Sequence, residues 1–367
     1  MSFTKEQILD ALKHVDDPDL KKDLVTLKMI ENIKIEGKKV TFDLVLTTPA
    51  CPLKDLMQKD CEKAIHEHVD KDIEVTVKME SKVSSRRKET ELLLKGVKNI
   101  IAVASGKGGV GKSTVSANLA VALAKTGAKV GLLDADIYGP SVPLMFNLEG
   151  MHPQGKEVDG KTKIIPMEQY GVKVLSIGFF VDATQALIWR GAMATNALNQ
   201  LINDADWGEL DYFIIDLPPG TGDIHLTMVQ TLPVSGAVIV STPQEVALAD
   251  ARKAFSMFKT KDINVPILGL VENMAWFTPD ELPNNKYYIF GKDGAKKLAE
   301  ESNVVLLGQI PLVQSIREAG DEGSPAALDE DSVEGKAFMA LAQSVAQQTA
   351  IRNANLEPTK IVEITTH

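Results

Sequence analysis

From residue 97 onward, short and nearly continuous apolar runs alternate with helical patterns. The runs are Ile100–Ala104, Val130–Asp134, Val172–Ile177, Tyr212–Asp216, Ala237–Ser241, Ile267–Val271 and Val304–Leu307. Such runs belong to parallel strands covered on both faces. Their alternation with helices predicts an α/β fold on a doubly wound, mostly parallel sheet. The last helix is predicted over 333–350, followed by an exposed C-terminal extension over 351–367. Residues 1–80 read differently, as a small α/β domain. Thr4, with Gln7 three residues later, predicts a capped helix over 5–14. Residues 39–47 alternate apolar and polar, as a strand does. Pro49 and Pro52 bracket a sharp turn carrying Cys51, then a helix over 53–69 and a β segment over 73–79 are predicted. Between the two domains, 81–96 is polar and basic (Ser84-Ser85-Arg86-Arg87-Lys88). It reads as a solvated linker, with a phosphate- or partner-binding arm as the alternative.

The length of 367 residues fits two or three domains. Two cysteines exclude a disulfide scaffold, fit a reducing compartment, and cap thiolate ligation at two per chain. The formal charge of −10 argues against nucleic acid and anionic lipid as partners. No apolar stretch approaches the ~18 residues of a membrane span, and the N-terminus lacks a secretory layout. A cytoplasmic protein is expected.

The sharpest chemical signal is Gly106-Lys107-Gly108-Gly109-Val110-Gly111-Lys112-Ser113-Thr114. It matches G-x-x-x-x-G-K-[ST] between a predicted strand and a predicted helix, the arrangement of a P-loop NTPase domain. Glycines let backbone wrap a phosphate, and N–H groups at a helix start favour the anion. Lys112 supplies charge to the β/γ-phosphates of ATP, and Ser113 a hydroxyl to Mg²⁺. Asp216 closes an apolar strand and is expected to serve the same Mg²⁺ through water. Gly220, in Leu217-Pro218-Pro219-Gly220-Thr221-Gly222-Asp223, is expected to turn its N–H toward the γ-phosphate, as a sensor of nucleotide state. Asp134 and Asp136 follow the second apolar strand. They are expected to share one side, Asp134 supporting the magnesium shell and Asp136 positioning water.

Lys107 gives this loop a second lysine. The loop therefore resembles the deviant Walker A of the MinD/ParA/nitrogenase-iron-protein superfamily. Asp134-Ala135-Asp136-Ile137-Tyr138-Gly139-Pro140-Ser141, Trp189-Arg190-Gly191, the Asp216–Asp223 segment and Glu272-Asn273-Met274 resemble the Mrp/ApbC branch. So does Gly308-Gln309-Ile310-Pro311 through Glu318-Ala319-Gly320, as a nucleotide-side loop. Asp17-Pro18-Asp19 and Thr47-Thr48-Pro49-Ala50-Cys51-Pro52 resemble a SufT-like domain. The resemblance implies a homodimeric ATPase whose Lys107 reaches the partner's nucleotide and whose Asn273 reads the adenine. It also implies binding of an iron–sulfur cluster, such as [4Fe-4S], and its transfer to apoprotein clients alongside iron–sulfur assembly proteins. The branch's usual Cys-x-x-Cys lies after Glu-Asn-Met; here residues 275–286 contain no cysteine.

Cys51, in a turn ahead of a helix, is expected to have a lowered pKa and to serve as a cluster ligand or transfer thiol. A small buried hydrophobe is the alternative. Cys61 falls on the stripe Leu53, Met57, Cys61, Ala64, Ile65, His68 and reads as a packed thiol. A different class of protein keeps every phosphate residue: a nucleotide-gated interaction switch of the MinD/ParA type without a cluster. A scaffold whose nucleotide only holds a dimer is a third.

Overall fold

The computed structural model describes residues 3–87, 93–158, 160–181, 191–260, 263–279, 281–282 and 284–359. The chain divides into two compact units, one running up to Ser84 and including Ala350–Leu356, the other from Ser85 to Thr349.

The small unit packs helices α1 (Lys5–Leu12) and α2 (Lys54–His68) with strands β1 (Ile30–Glu36), β2 (Lys39–Leu46) and β3 (Glu74–Ser81). Thr4 and Gln7 form the expected reciprocal cap. β2 is the central strand, antiparallel to β1 and parallel to β3. Its Val40, Phe42, Leu44 and Leu46 enter a core with Ile8, Leu12, Met57, Cys61 and Ile65. β1 escaped the sequence pattern because its register shifts between Glu31 and Lys34, and Asn32 adopts φ 53°. That irregularity breaks the period of two by which a strand is recognised.

In the large unit, an eight-stranded sheet carries the site. Its strands are β4 (Val97–Ala104), β5 (Val130–Asp134), β6 (Met167–Gln169), β7 (Val172–Ser176), β8 (Leu210–Asp216), β9 (Gly236–Ser241), β10 (Ile267–Glu272) and β11 (Leu306–Gln309). They lie in the order 6-7-5-8-4-9-10-11, parallel throughout except for edge strand β6. Every residue of β5 and β9 is buried, as the continuous apolar runs required. β11 starts two residues later than predicted. Helix α3 (Lys112–Lys125) is buried continuously from Val115 to Leu123. It is therefore apolar on all sides, and its Ser116 and Asn118 need internal partners. Asn118 accepts from Ala327 N (2.8 Å) and donates to Thr114 O (2.9 Å).

Two boundary expectations are corrected. The last helix runs to Asn355, not 350, and Ala350–Leu356 belongs to the small unit instead of an exposed extension. Asn353 is 3% exposed and its amide donates to Ser84 O at 3.1 Å, which draws this turn inward. Nor is the basic segment uniformly solvated. The Arg87 guanidinium donates to the carbonyls of Leu93, Leu94 and Val97. Residues 88–92 of the expected linker, 360–367 of the expected extension, and Trp189 and Arg190 lie outside the described residues. Among the described residues, no helix is long and apolar enough to cross a membrane.

Candidate functional site

The loop between β4 and α3 is shaped by glycine. At Gly106 a Cβ would overlap the backbone carbonyl of Asp250, so the chain passes only without a side chain. Gly111 precedes α3 with φ 78°, and a Cβ there would strike the Asn273 amide. Lys112 and Ser113 occupy the first turn. A cavity of about 220 Å³ opens at this turn, lined by the loop with Lys107, Ser113, Thr114, Asp136 and Pro219. Lys107 is exposed beside it.

Three strand ends converge in one row. Ser176, Asp134 and Asp216 are register partners across β7, β5 and β8. Asp134 and Asp216 are 0% exposed. The Lys112 ammonium lies 2.8 Å from Asp216 Oδ1, 3.2 Å from Ser113 Oγ and 4.0 Å from Asp136 Oδ2. Ser116 Oγ also donates to Asp216 Oδ1, at 2.6 Å. Asp216 Oδ2 is buried without a hydrogen-bond partner among the described residues. Burial, then the neighbouring Asp216 charge, pushes the Asp134 carboxyl up to about 7. Burial likewise raises Asp136, and Lys112 pulls it back.

Asp134 does not open onto the phosphate cavity as expected. Its oxygens accept from Ser176 Oγ (2.9 Å), Val142 N (3.3 Å) and Asp136 N (3.1 Å). It holds the turn that presents Asp136, and Asp136 alone of the pair lines the cavity. Gly220 is also placed differently. Its φ is 93°, and its N–H donates to Ser105 O at 2.9 Å, so in this conformation the amide faces the loop backbone and not a phosphate.

A second cavity of about 240 Å³ shares Gly111, Thr114 and Met145 with the first. Asn273, Met274, Pro311, Leu312 and Ile316 line it together with the charged Arg317 and Asp321. The Asn273 amide nitrogen donates to Val110 O at 2.8 Å, tying this wall to the phosphate loop. Glu272, passed over in the sequence, is what steadies it. This 0% exposed carboxylate accepts from Ala295 N (2.6 Å) and Gln309 Nε2 (2.7 Å). Its place as the first residue of Glu-Asn-Met was the available signal. Ser116 and Ser176 were missed as well, because only burial reveals that they face carboxylates.

The segment after Met274 holds aromatics where a thiolate pair was sought. Phe277 and Tyr287 exchange backbone hydrogen bonds, both 2.8 Å, and Lys286 lies 3.5 Å over the Trp276 ring. Cys51 is half-buried against the small unit's core. The expectation of a lowered pKa fails. α2 begins only at Lys54, and burial, reinforced by Asp19 and Asp17, raises this thiol despite the Leu53 N–H. Cys61 is a packed core thiol, pushed up to about 12 by burial. Among the described residues, no three His, Cys, Asp or Glu side chains group as a metal cage.

A glycine loop feeding a helix, with lysine and serine in its first turn and carboxylates on neighbouring parallel strand ends, defines a P-loop nucleotide-binding α/β protein. The family model described as ParA, NUBPL iron-transfer P-loop NTPase, matches residues 96–346, and that of an iron-sulfur cluster assembly protein matches residues 5–77. The chain belongs to the ParA family of NUBPL-type P-loop NTPases. An iron-sulfur cluster carrier protein of Synechocystis is 46% identical over 355 residues, covering 95% of this chain and 99% of the relative. The iron-sulfur cluster transfer protein NUBPL of mouse is 46% identical over 271 residues, 73% of this chain and 83% of the relative. Among solved structures, a nucleotide-binding protein of Archaeoglobus fulgidus in complex with ADP is 40% identical with a TM-score of 0.54, covering 63% of this chain and 88% of that one.

Proposed function

We propose that the chain is a homodimeric, Mg-dependent ATPase that carries iron–sulfur clusters to apoproteins. The observation that carries the reading is Lys112, poised between Asp216 and Ser113 at the mouth of the glycine loop. An ammonium and a hydroxyl so placed suit β/γ-phosphates and their cation. ADP in the Archaeoglobus relative supports the nucleotide, and the names of the Synechocystis and mouse relatives support the cargo.

The residues fit Mg²⁺. Asp216 Oδ2 is a buried hard oxygen without a partner among the described residues, and Ser113 offers another at the cavity. These two would hold the ion, with Asp134 supporting the turn behind them. When bound, Mg²⁺ neutralises charge on the phosphate oxygens. The loop amides and the start of α3 orient the phosphates. Lys112 leaves Asp216 to lie along them, and Asp136 accepts a hydrogen bond from the attacking water. Gly220 N–H exchanges Ser105 O for the γ-phosphate. Asn273 and Pro311 flank the base. Lys107 reaches the nucleotide of a second copy, adding charge stabilisation only in the closed pair.

Residues 1–80 are the cargo domain of this reading, 81–96 its linker and 97–350 the ATPase. The cluster is substrate here. Two cysteines per chain cannot supply four thiolates, so a [4Fe-4S] cargo is shared between copies or with the client. Cys51 is the thiol assigned to touch it. Steady-state phosphate release by wild type and Lys112→Ala, with sedimentation in ATP and ADP, tests the reading. Turnover that survives loss of the lysine refutes the site, and a chain that stays monomeric with ATP refutes the pair. Anaerobic reconstitution of wild type and Cys51→Ser tests the cargo. A wild type that takes up no iron favours the second reading, the cluster-free interaction switch, to which the low cysteine count already points.

A further inference from the structure

His225 has no role in the chemistry above. It lies in helix α4 (Asp223–Thr231), which begins directly after the Asp216–Gly222 loop. The residue is 1% exposed, and its backbone N–H donates to Gly222 O at 3.1 Å. Neither Nδ1 nor Nε2 has a hydrogen-bond partner among the described residues. A neutral imidazole always carries one donor and one acceptor. Leaving both unmet in the interior is costly, and buried polar groups are normally paired. Leucine would fill the same space without that cost, so packing alone does not account for a histidine here.

The loop that leads into this helix is in a resting arrangement. Gly220 N–H is held by Ser105 O, and Lys112 by Asp216. In the nucleotide reading above, both bonds break when a triphosphate enters. Burial first, and the Lys112 charge after it, hold the imidazole down to about 4 against the opposing pull of the Gly222 backbone, and hence neutral. Among the described residues, His225 is thus buried, neutral and without a hydrogen-bond partner, next to the Asp216–Gly222 segment.

We infer that His225 is a positioning residue whose ring becomes hydrogen-bonded only when the Asp216–Gly222 loop re-forms around a nucleoside triphosphate, so that pairing of its nitrogens favours the triphosphate-bound conformation over the diphosphate-bound one. The inference rests on the nucleotide reading above.

The test uses the full chain. His225→Leu should raise the unfolding midpoint of the nucleotide-free protein. It should weaken binding of a non-hydrolysable ATP analogue with Mg²⁺ roughly tenfold, the worth of one net hydrogen bond, and leave ADP affinity within about twofold. His225→Gln, which can still pair, should recover most of the loss. Ring ¹⁵N shifts of labelled histidine in wild type give a readout independent of any variant's folding. The His225 signals should move to hydrogen-bonded values with the ATP analogue and not with ADP. Equal effects of His225→Leu on both nucleotides, or unmoved ring signals, overturn the inference while leaving the nucleotide site intact. A wild type that binds neither nucleotide overturns both.

Discussion

In the large unit, polar groups are buried where the strands end: Asp134 and Asp216 at 0% exposure, Lys112 at 5%, His225 at 1%. In the small unit, the core is made of residues such as Phe42, Leu44, Met57 and Ile65, with one thiol inside and another, Cys51, at its edge. The first arrangement is internally tense. One ammonium serves Asp216 and Asp136, and among the described residues one carboxylate oxygen and one imidazole have no hydrogen-bond partner. The second arrangement is apolar packing around one thiol. The difference teaches where each unit can respond to a ligand. In the proposed function, a triphosphate and its cation would bring the missing partners to the large unit. The small unit offers a soft sulfur whose proton a metal would have to displace.

The largest expected effect breaks this comparison on the side of the charged centre. Lys112→Ala should lower ATP turnover by about 10²–10³-fold. It should also cost about 3–5 kcal/mol of nucleotide-free stability, since Asp216 would lose its buried cation; denaturant unfolding checks this. Next comes pH. The unfolded imidazole of His225 takes a proton below about 6.5, whereas the buried ring resists down to about 4. Between these values the unfolded chain binds more protons, so wild type loses stability as pH falls, by about 3 kcal/mol at pH 4. His225→Leu has no such loss, and its advantage in parallel urea titrations should grow across that window. Asp134→Asn should show the opposite slope. The native Asp134 carboxyl is raised, so wild type is penalised as pH rises toward 7 and the variant gains.

Glu272→Gln should cost about 2 kcal/mol, as the Ala295 and Gln309 bonds lose a charged acceptor. It should also weaken nucleotide binding through Asn273, which isothermal titration would detect. The smallest effect sharpens the small unit's side. Cys61→Ala removes a buried sulfur and should cost about 1 kcal/mol by thermal unfolding. Iron uptake should survive it and be lost in Cys51→Ser.

Legibility followed local chemistry. The strands β4, β5 and β8, the loop from Gly106 to Thr114 and the reciprocal Thr4–Gln7 cap were each readable, because hydrophobic period, glycine content and side-chain type act over a few residues. β1 was not, because its register shift hides an alternation that is present. The Cys51 pKa was misread because helix proximity is local while burial and the Asp17 and Asp19 charges are not. Asp134 was assigned to the cavity from its spacing to Asp136. Spacing says which side a residue faces along one strand, but not that Ser176 waits on the next.

The sequence by itself determined the alternation of buried strands and helices, the anion-binding loop and the types of group at strand ends. Those follow from short-range sterics and hydrophobic period. Only the tertiary structure decided that Ser176, Asp134 and Asp216 stand in one row, that Lys112 rests on Asp216, and that His225 is enclosed without a partner among the described residues. Those depend on parallel register and burial, which bring together residues some 40 to 100 positions apart and set the dielectric around them.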